Sequence, residues 1–237
     1  MKKLKRIRSA FTLAEILITL GIIGIVAAMT MPTLNDRITK RQVEARAKVA
    51  YSTIAQVMKM SENDGNTSGE VANTPTSLKS WFNRNLGNHL QVTELCANQA
   101  GCWHKKGVVK TLQHSAPYWD NDIGLGTNTV TFKTAKGIWG NLNATYGQGS
   151  IDIFGVEIDK NSNTMEFYLD VNGDRGPNII GKDIYILIYN DKFGTVPAGY
   201  SKTKEEVEQI CLTGNGYWCL SKLMRDSWKI DDRVWKR

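Results

Sequence analysis

The sequence predicts an α+β fold in which a long N-terminal helix, its first part membrane-spanning, runs into a globular head built on an antiparallel β-sheet. Three observations predict it. Residues 11–34 read FTLAEILITLGIIGIVAAMTMPTL, apolar from Phe11 to Met31 apart from Glu15 and three threonines. Those roughly 21 residues rise ~31 Å as a helix, one bilayer hydrocarbon core. Beyond them Ile38, Val43, Ala47, Ala50, Tyr51, Ile54, Val57 and Met58 recur at three- and four-residue spacings, one face of a helix. From about residue 115 Gly and Asn punctuate short runs rich in β-branched and aromatic residues, the composition of strands and turns.

The elements follow in chain order as a basic segment at 1–10, a membrane helix at 11–34, an exposed helical spine at 35–64 and a head at 65–237. Residues 1–10 carry Lys2, Lys3, Lys5, Arg6 and Arg8 and no acid. The positive-inside bias therefore keeps them cytoplasmic and sends the rest of a single-pass chain across the cytoplasmic membrane. Without these five, 25 Lys and Arg face 23 acids, so the formal charge of +7 falls to +2. A basic balance confined to the first ten residues is weak ground for nucleic-acid binding. Glu15 is the one carboxylate in the apolar run, and an ionisable residue at that depth asks for a partner. A free α-amine created by cutting just before Phe11, on a neighbouring subunit, has the right charge.

Ala10-Phe11-Thr12-Leu13-Ala14-Glu15, followed by ILITLGIIGIVAAMTMP, resembles the leader of type IV prepilins and type II secretion pseudopilins. The resemblance covers about 25 residues. It implies a pilin-like fold and a prepilin peptidase that cuts between Ala10 and Phe11 and methylates the new terminus. It also implies that Glu15 guides docking onto other pilin-like subunits, in a filament of one or several kinds, and that Pro32 bends the helix. The position before the cut is Ala10 where the family usually has glycine. The alternative is an ordinary signal peptide cut after Val26-Ala27-Ala28, leaving a secreted or anchored binding protein; Glu15 interrupts the apolar core such a peptide needs.

Asn63-Asp64-Gly65-Asn66 should close the spine, because Gly and Asn accept left-handed geometry. After a loop at 67–75, Thr76 or Ser77 is expected to cap a short helix that buries Leu78, Trp81, Phe82 and Leu86. Four cysteines on the outer side of a membrane imply two disulfides. Three connectivities exist, and the local pairing of Cys96 with Cys102 and Cys211 with Cys219 is the expectation. The zinc alternative, Cys96, Cys102, His104 and His114, has spacings unlike the tight pairs zinc sites use.

Strands are expected at 130–132, 150–159, 164–171 and 184–189, the second and third joined as a hairpin, and IYILIY covered on both faces. Between the last two lies DVNGDRGPNIIGKD. Asp170, Asn172 and Asp174 can converge on a hard cation such as calcium, with Asn178 and Asp183 closing its shell. Arg175 and Gly181 occupy the positions where an EF-hand requires Gly and Glu, so the preferred reading is a polar turn, with calcium the alternative. The segment also looks like one found in pilin-like proteins, whose major pseudopilins bind calcium in a C-terminal loop, although their ligands do not map onto this one.

Thr203-Lys204-Glu205-Glu206 forms a capping box opening a helix with Val207, Ile210 and Cys211 inward. The aromatic and basic C-terminal segment, from Trp218 to Arg237, resembles single-strand binding surfaces, but Asp226, Asp231 and Asp232 dilute its charge. No G-x-S-x-G, H-E-x-x-H or P-loop occurs, and catalysis is not expected.

Overall fold

A computed structural model describes residues 12–66, 74–144, 153–156 and 164–237. Ala10, Phe11 and the basic segment at 1–10 lie outside the described residues. The chain divides into two compact units, Met1–Arg41 and Gln42–Arg237.

Helix α1 runs from Leu13 to Asn63 and contains Pro32. In the first unit its apolar side chains are exposed, and none of residues 13–34 is buried. The threonines there do not leave hydroxyls stranded. Thr19 Oγ1 donates to the Glu15 carbonyl and Thr30 Oγ1 to the Val26 carbonyl, each at 2.9 Å, the back-bonding that lets threonine sit in apolar helices. Pro32, lacking an N–H, leaves the Ala28 carbonyl without its helical donor. Ile38 is exposed, contrary to its expected place in the buried stripe, because the stripe begins only at Val43, inside the second unit.

The second unit centres on a six-stranded antiparallel sheet in the order β1-β4-β5-β6-β7-β8. These are Val92–Ala97, Val130–Thr134, Trp139–Ala144, Thr164–Asp170, Ile184–Asn190 and Gly194–Pro197; β2 (Asp120–Asn121) and β3 (Gly124–Leu125) form a separate small pair. Both faces of the sheet are covered, and the period-two alternation of β7 shows how. Tyr185, Leu187 and Tyr189 join Val43, Ala47, Ile54 and Met58 of α1 in one core, together with Leu78, Trp81 and Phe82 of α2 (Pro75–Phe82). Ile184, Ile186 and Ile188 join Trp103, Leu125, Phe154 and Trp218 in the other. Gly140 of β5 lies opposite Phe132 of β4, and the Phe132 ring occupies the space a Cβ would need.

Several expectations are corrected. Thr74 caps α2, accepting from the Ser77 N–H at 3.2 Å, with Pro75 in the first turn, instead of Thr76 or Ser77. A π-helical turn at Asn83–Gly87 follows and buries Leu86. Of the strand expected at 150–159, the described residues Ile153 and Phe154 are helical, with a turn at Gly155; residues 150–152 and 157–159 lie outside the described set. The 164–171 strand instead pairs with β5 and β7. Glu44, a charged residue of the spine, is buried. Its Oε1 accepts the Ile230 N–H at 2.9 Å, and Oε2 lies 3.6 Å from Lys229 Nζ, which compensates the burial.

The last three helices are α3 (Lys204–Leu212), α4 (Cys219–Arg225) and α5 (Asp232–Trp235). Thr203 and Glu206 cap α3 reciprocally, as expected, with Val207 and Cys211 buried.

Candidate functional site

Glu15 sits in the first turn of α1, and the local sequence determines what it does there. Thr12-Leu13-Ala14-Glu15 is a capping box. Glu15 Oε2 accepts from both the Thr12 N–H and its hydroxyl at 2.8 Å, while Thr12 Oγ1 accepts the Glu15 N–H at 3.3 Å. A carboxylate at a helix N-terminus also favours the dipole. The T-x-x-E pattern before an apolar run is legible in the sequence and was missed as a capping signal.

The 170–183 segment follows β6. Asp170 is buried: Oδ1 accepts the N–H groups of Asn172 (3.0 Å) and Gly173 (2.8 Å), and Oδ2 lies 2.8 Å from His104 Nε2. His104 is itself buried and stacked on Trp139, with ring centroids 5.0 Å apart. Asp183 is also buried and accepts from Asn178 N–H at 2.9 Å and Ile179 N–H at 2.7 Å. Burial, and then the neighbouring Asp170 charge, push the Asp183 carboxyl up to about 7. Burial likewise raises Asp170, against the opposing pull of His104. The segment is thus a turn closed by its own carboxylates, with a cis Gly176–Pro177 peptide. Asp170, Asn172, Asn178 and Asp183 all take part in it, whereas Asp174 is exposed. Asn172 Oδ1 and Asn178 Oδ1 are buried without a hydrogen-bond donor. Among the described residues no group of three or more His, Cys, Asp or Glu side chains is arranged as a metal site.

Two disulfides are formed, Cys96–Cys102 and Cys211–Cys219, with Cα atoms 5.9 and 4.9 Å apart. The first ties β1 to the loop carrying His104; the second joins α3 to α4 beside the Gly214–Gly216 turn. The C-terminal charges are engaged internally: Lys222 pairs with Asp226 at 2.7 Å, and Arg233 with Asp231 at 2.7 Å and Glu208 at 2.9 Å.

Comparison with known proteins bears on the whole. Two curated proteins described as type IV major fimbrial protein FimA, from Dichelobacter nodosus and its strain VCS1703A, are each 35% identical to this chain over 77 residues. The match supports a type IV pilin-like relationship. The alignment takes in 30% of this chain and 48% of each relative, so the chain spans about half the length of the curated relatives it matches. No family model matches the chain, and no solved structure does. A pilin-like layout, one long apolar helix followed by an α+β head, agrees with the fold described above. Among the described residues α1 is the helix long and apolar enough to cross a membrane.

Proposed function

We propose that this chain is a structural subunit of a type IV pilus or a type II secretion pseudopilus. In this reading a prepilin peptidase cuts between Ala10 and Phe11, and the subunit waits in the cytoplasmic membrane with its head outside. It then joins other pilin-like subunits through α1. The observation that carries the reading is a helix of membrane length with no buried side chain over residues 13–34 and a carboxylate, Glu15, at its start. A face apolar all round is a membrane span or a packing surface for copies of itself. The amine freed at Phe11 of a neighbouring subunit pairs with Glu15, and Gly21, Gly24 and Pro32 let the helix bend as it packs. The test is the N-terminus of the protein recovered from its own cells, read by mass spectrometry. A chain beginning with methylated Phe11 is expected. A chain beginning at Met29 overturns the reading in favour of a secreted binding protein.

We further propose that the 170–183 turn accepts a hard cation such as calcium. The specific ground is the pair of donorless amide oxygens, Asn172 Oδ1 and Asn178 Oδ1, beside two buried carboxylates, of which Asp170 raises Asp183. Oxygen donors of this kind suit calcium, and its charge would relieve the repulsion between Asp170 and Asp183. Calcium is expected to raise the thermal midpoint of the full chain in detergent, and Asp183→Asn to abolish that rise. Equal midpoints with calcium and with chelator sink the idea.

A further inference from the structure

Strand β6 presents two different faces. Met165, Phe167 and Leu169 enter the core shared with α1 and α2, whereas Thr164, Glu166, Tyr168 and Asp170 face the opposite side. There Glu166 and Tyr168 line a cavity of about 210 Å³, walled by Tyr118, Trp119 and Phe154. Tyr118 stands at the mouth, 85% exposed, with its ring edge-to-face on Trp119 at 4.4 Å. Trp119 in turn lies 5.6 Å from Tyr217, and Phe154 lies 6.5 Å from Tyr168.

Glu166 is the carboxylic acid of this wall. It is 7% exposed, and no Lys, Arg or His is among the described residues lining the cavity. A buried carboxylate ordinarily has a cationic partner or stays protonated. Here burial pushes the carboxyl up to about 8, with hydrogen bonds from Asn143 and Tyr168 pulling weakly the other way. The nearby amides are already engaged. Asn143 Nδ2 donates to the Leu125 carbonyl, Asn143 Oδ1 accepts from Asn141 at 3.2 Å, and Asn128 Oδ1 accepts from Asn98. That leaves few of the free amide groups a sugar would need. Among the described lining residues, beside Thr127, Asn128 and Asn143, stand one carboxyl and several aromatic rings, the surroundings that attract an organic cation.

We propose that this cavity binds a small alkylammonium cation, held between the Glu166 carboxylate and the rings of Tyr118, Trp119 and Tyr168. The ammonium supplies the charge that Glu166 lacks, and its alkyl groups cover the ring faces. As the cation enters, protonated Glu166 releases its proton to solvent. One buried donor of the lining, Trp119 Nε1, has no acceptor among the described residues. A ligand carrying an oxygen next to its ammonium satisfies it as well, which makes choline a suitable probe.

The experiment is calorimetric titration of the full chain, in a polyoxyethylene detergent free of sugar and ammonium groups, with choline and with its uncharged tert-butyl analogue. Choline is expected to bind about tenfold more tightly than the analogue or better. Its affinity should rise about tenfold between pH ~7 and ~9 as Glu166 ionises through a value near 8. Tyr168 and Tyr217, both pushed upward by burial, stay neutral over that range. Glu166→Gln should remove both the preference for charge and the pH dependence. Tyr118→Ala, at an exposed position that leaves folding intact, should weaken choline binding with an unchanged thermal midpoint. Equal binding of choline and its analogue overturns the proposal. So does binding of N-acetylglucosamine in preference to choline, or no choline binding at millimolar concentration by chain with its normal midpoint.

Discussion

The two units of this chain use the same residue types in opposite ways. In residues 13–41 Leu, Ile, Val and Met face outward and are exposed. In residues 42–237 the same residues fill two cores, one on each face of a sheet. The head therefore carries its own stability, through burial worth ~25 cal/mol per Å² of apolar surface. The exposed apolar surface of residues 13–34 is of the kind that lipid, or packing against other copies, covers. Under the proposed function, folding and assembly are separable, and substitutions should sort cleanly between them.

The sharpest break is Glu15→Ala. It should abolish filament assembly, scored by electron microscopy and by sheared filament yield, and leave the thermal midpoint of the head unchanged. A variant that still assembles removes Glu15 from the mechanism. Next is Trp81→Ala in the head, where the ring is buried between Phe167 and Tyr189 at 6.4 and 6.2 Å. Its loss should cost about 3–5 kcal/mol in denaturant unfolding, with assembly affected only through the amount of folded subunit.

The head should also respond to pH. The Asp183 carboxyl has its folded-state value raised from 3.8 to about 7. Its contribution is complete below the lower value and is lost as pH rises through the upper one. Unfolding measurements should show stability falling across that window, and Asp183→Asn should flatten the slope. The smallest effect expected is from Glu44→Ala, which leaves the buried Ile230 N–H without its acceptor. It should lower stability by about 1–3 kcal/mol, towards the lower end because Lys229 is released as well.

How much of this was legible depended on whether the signal was local. The membrane-length run, the two-sided burial of IYILIY, the Thr203–Glu206 cap and the short-range cysteine pairs are all written within a few residues of themselves, and each is found in the structure. Strand β5 was not legible: WGNLNA carries two asparagines and a glycine, poor strand formers by propensity. It becomes a strand because Asn141 and Asn143 hold the Leu125 main chain of the small β2–β3 pair. Gly140, for its part, makes room for Phe132. Strand β1 and the burial of Glu44 depended likewise on partners far along the chain, Val130–Thr134 and Ile230. At the candidate site the acid at position 15 was legible as an anomaly, and its own capping partner, three residues away, was overlooked. Asp170 and Asp183 were legible as candidate oxygen donors of one polar turn, but the buried histidine beside Asp170 was not, because His104 arrives from 66 residues away.

The order of the sheet has one more consequence, which concerns its two outer strands. An exposed strand edge offers unpaired main-chain groups to any other chain, and proteins blunt such edges with bulges, charges, short length or proline. Here β1 has an irregular register between Val92 and Glu94, and Glu94 is held by Lys133 at 2.8 Å. At the far side β8 is only four residues long and ends in Pro197. Among the described strands neither margin invites strand addition from a second head. Under the proposed function, heads brought to high local density along a fibre would remain separate folded bodies, and cohesion would fall to the helices.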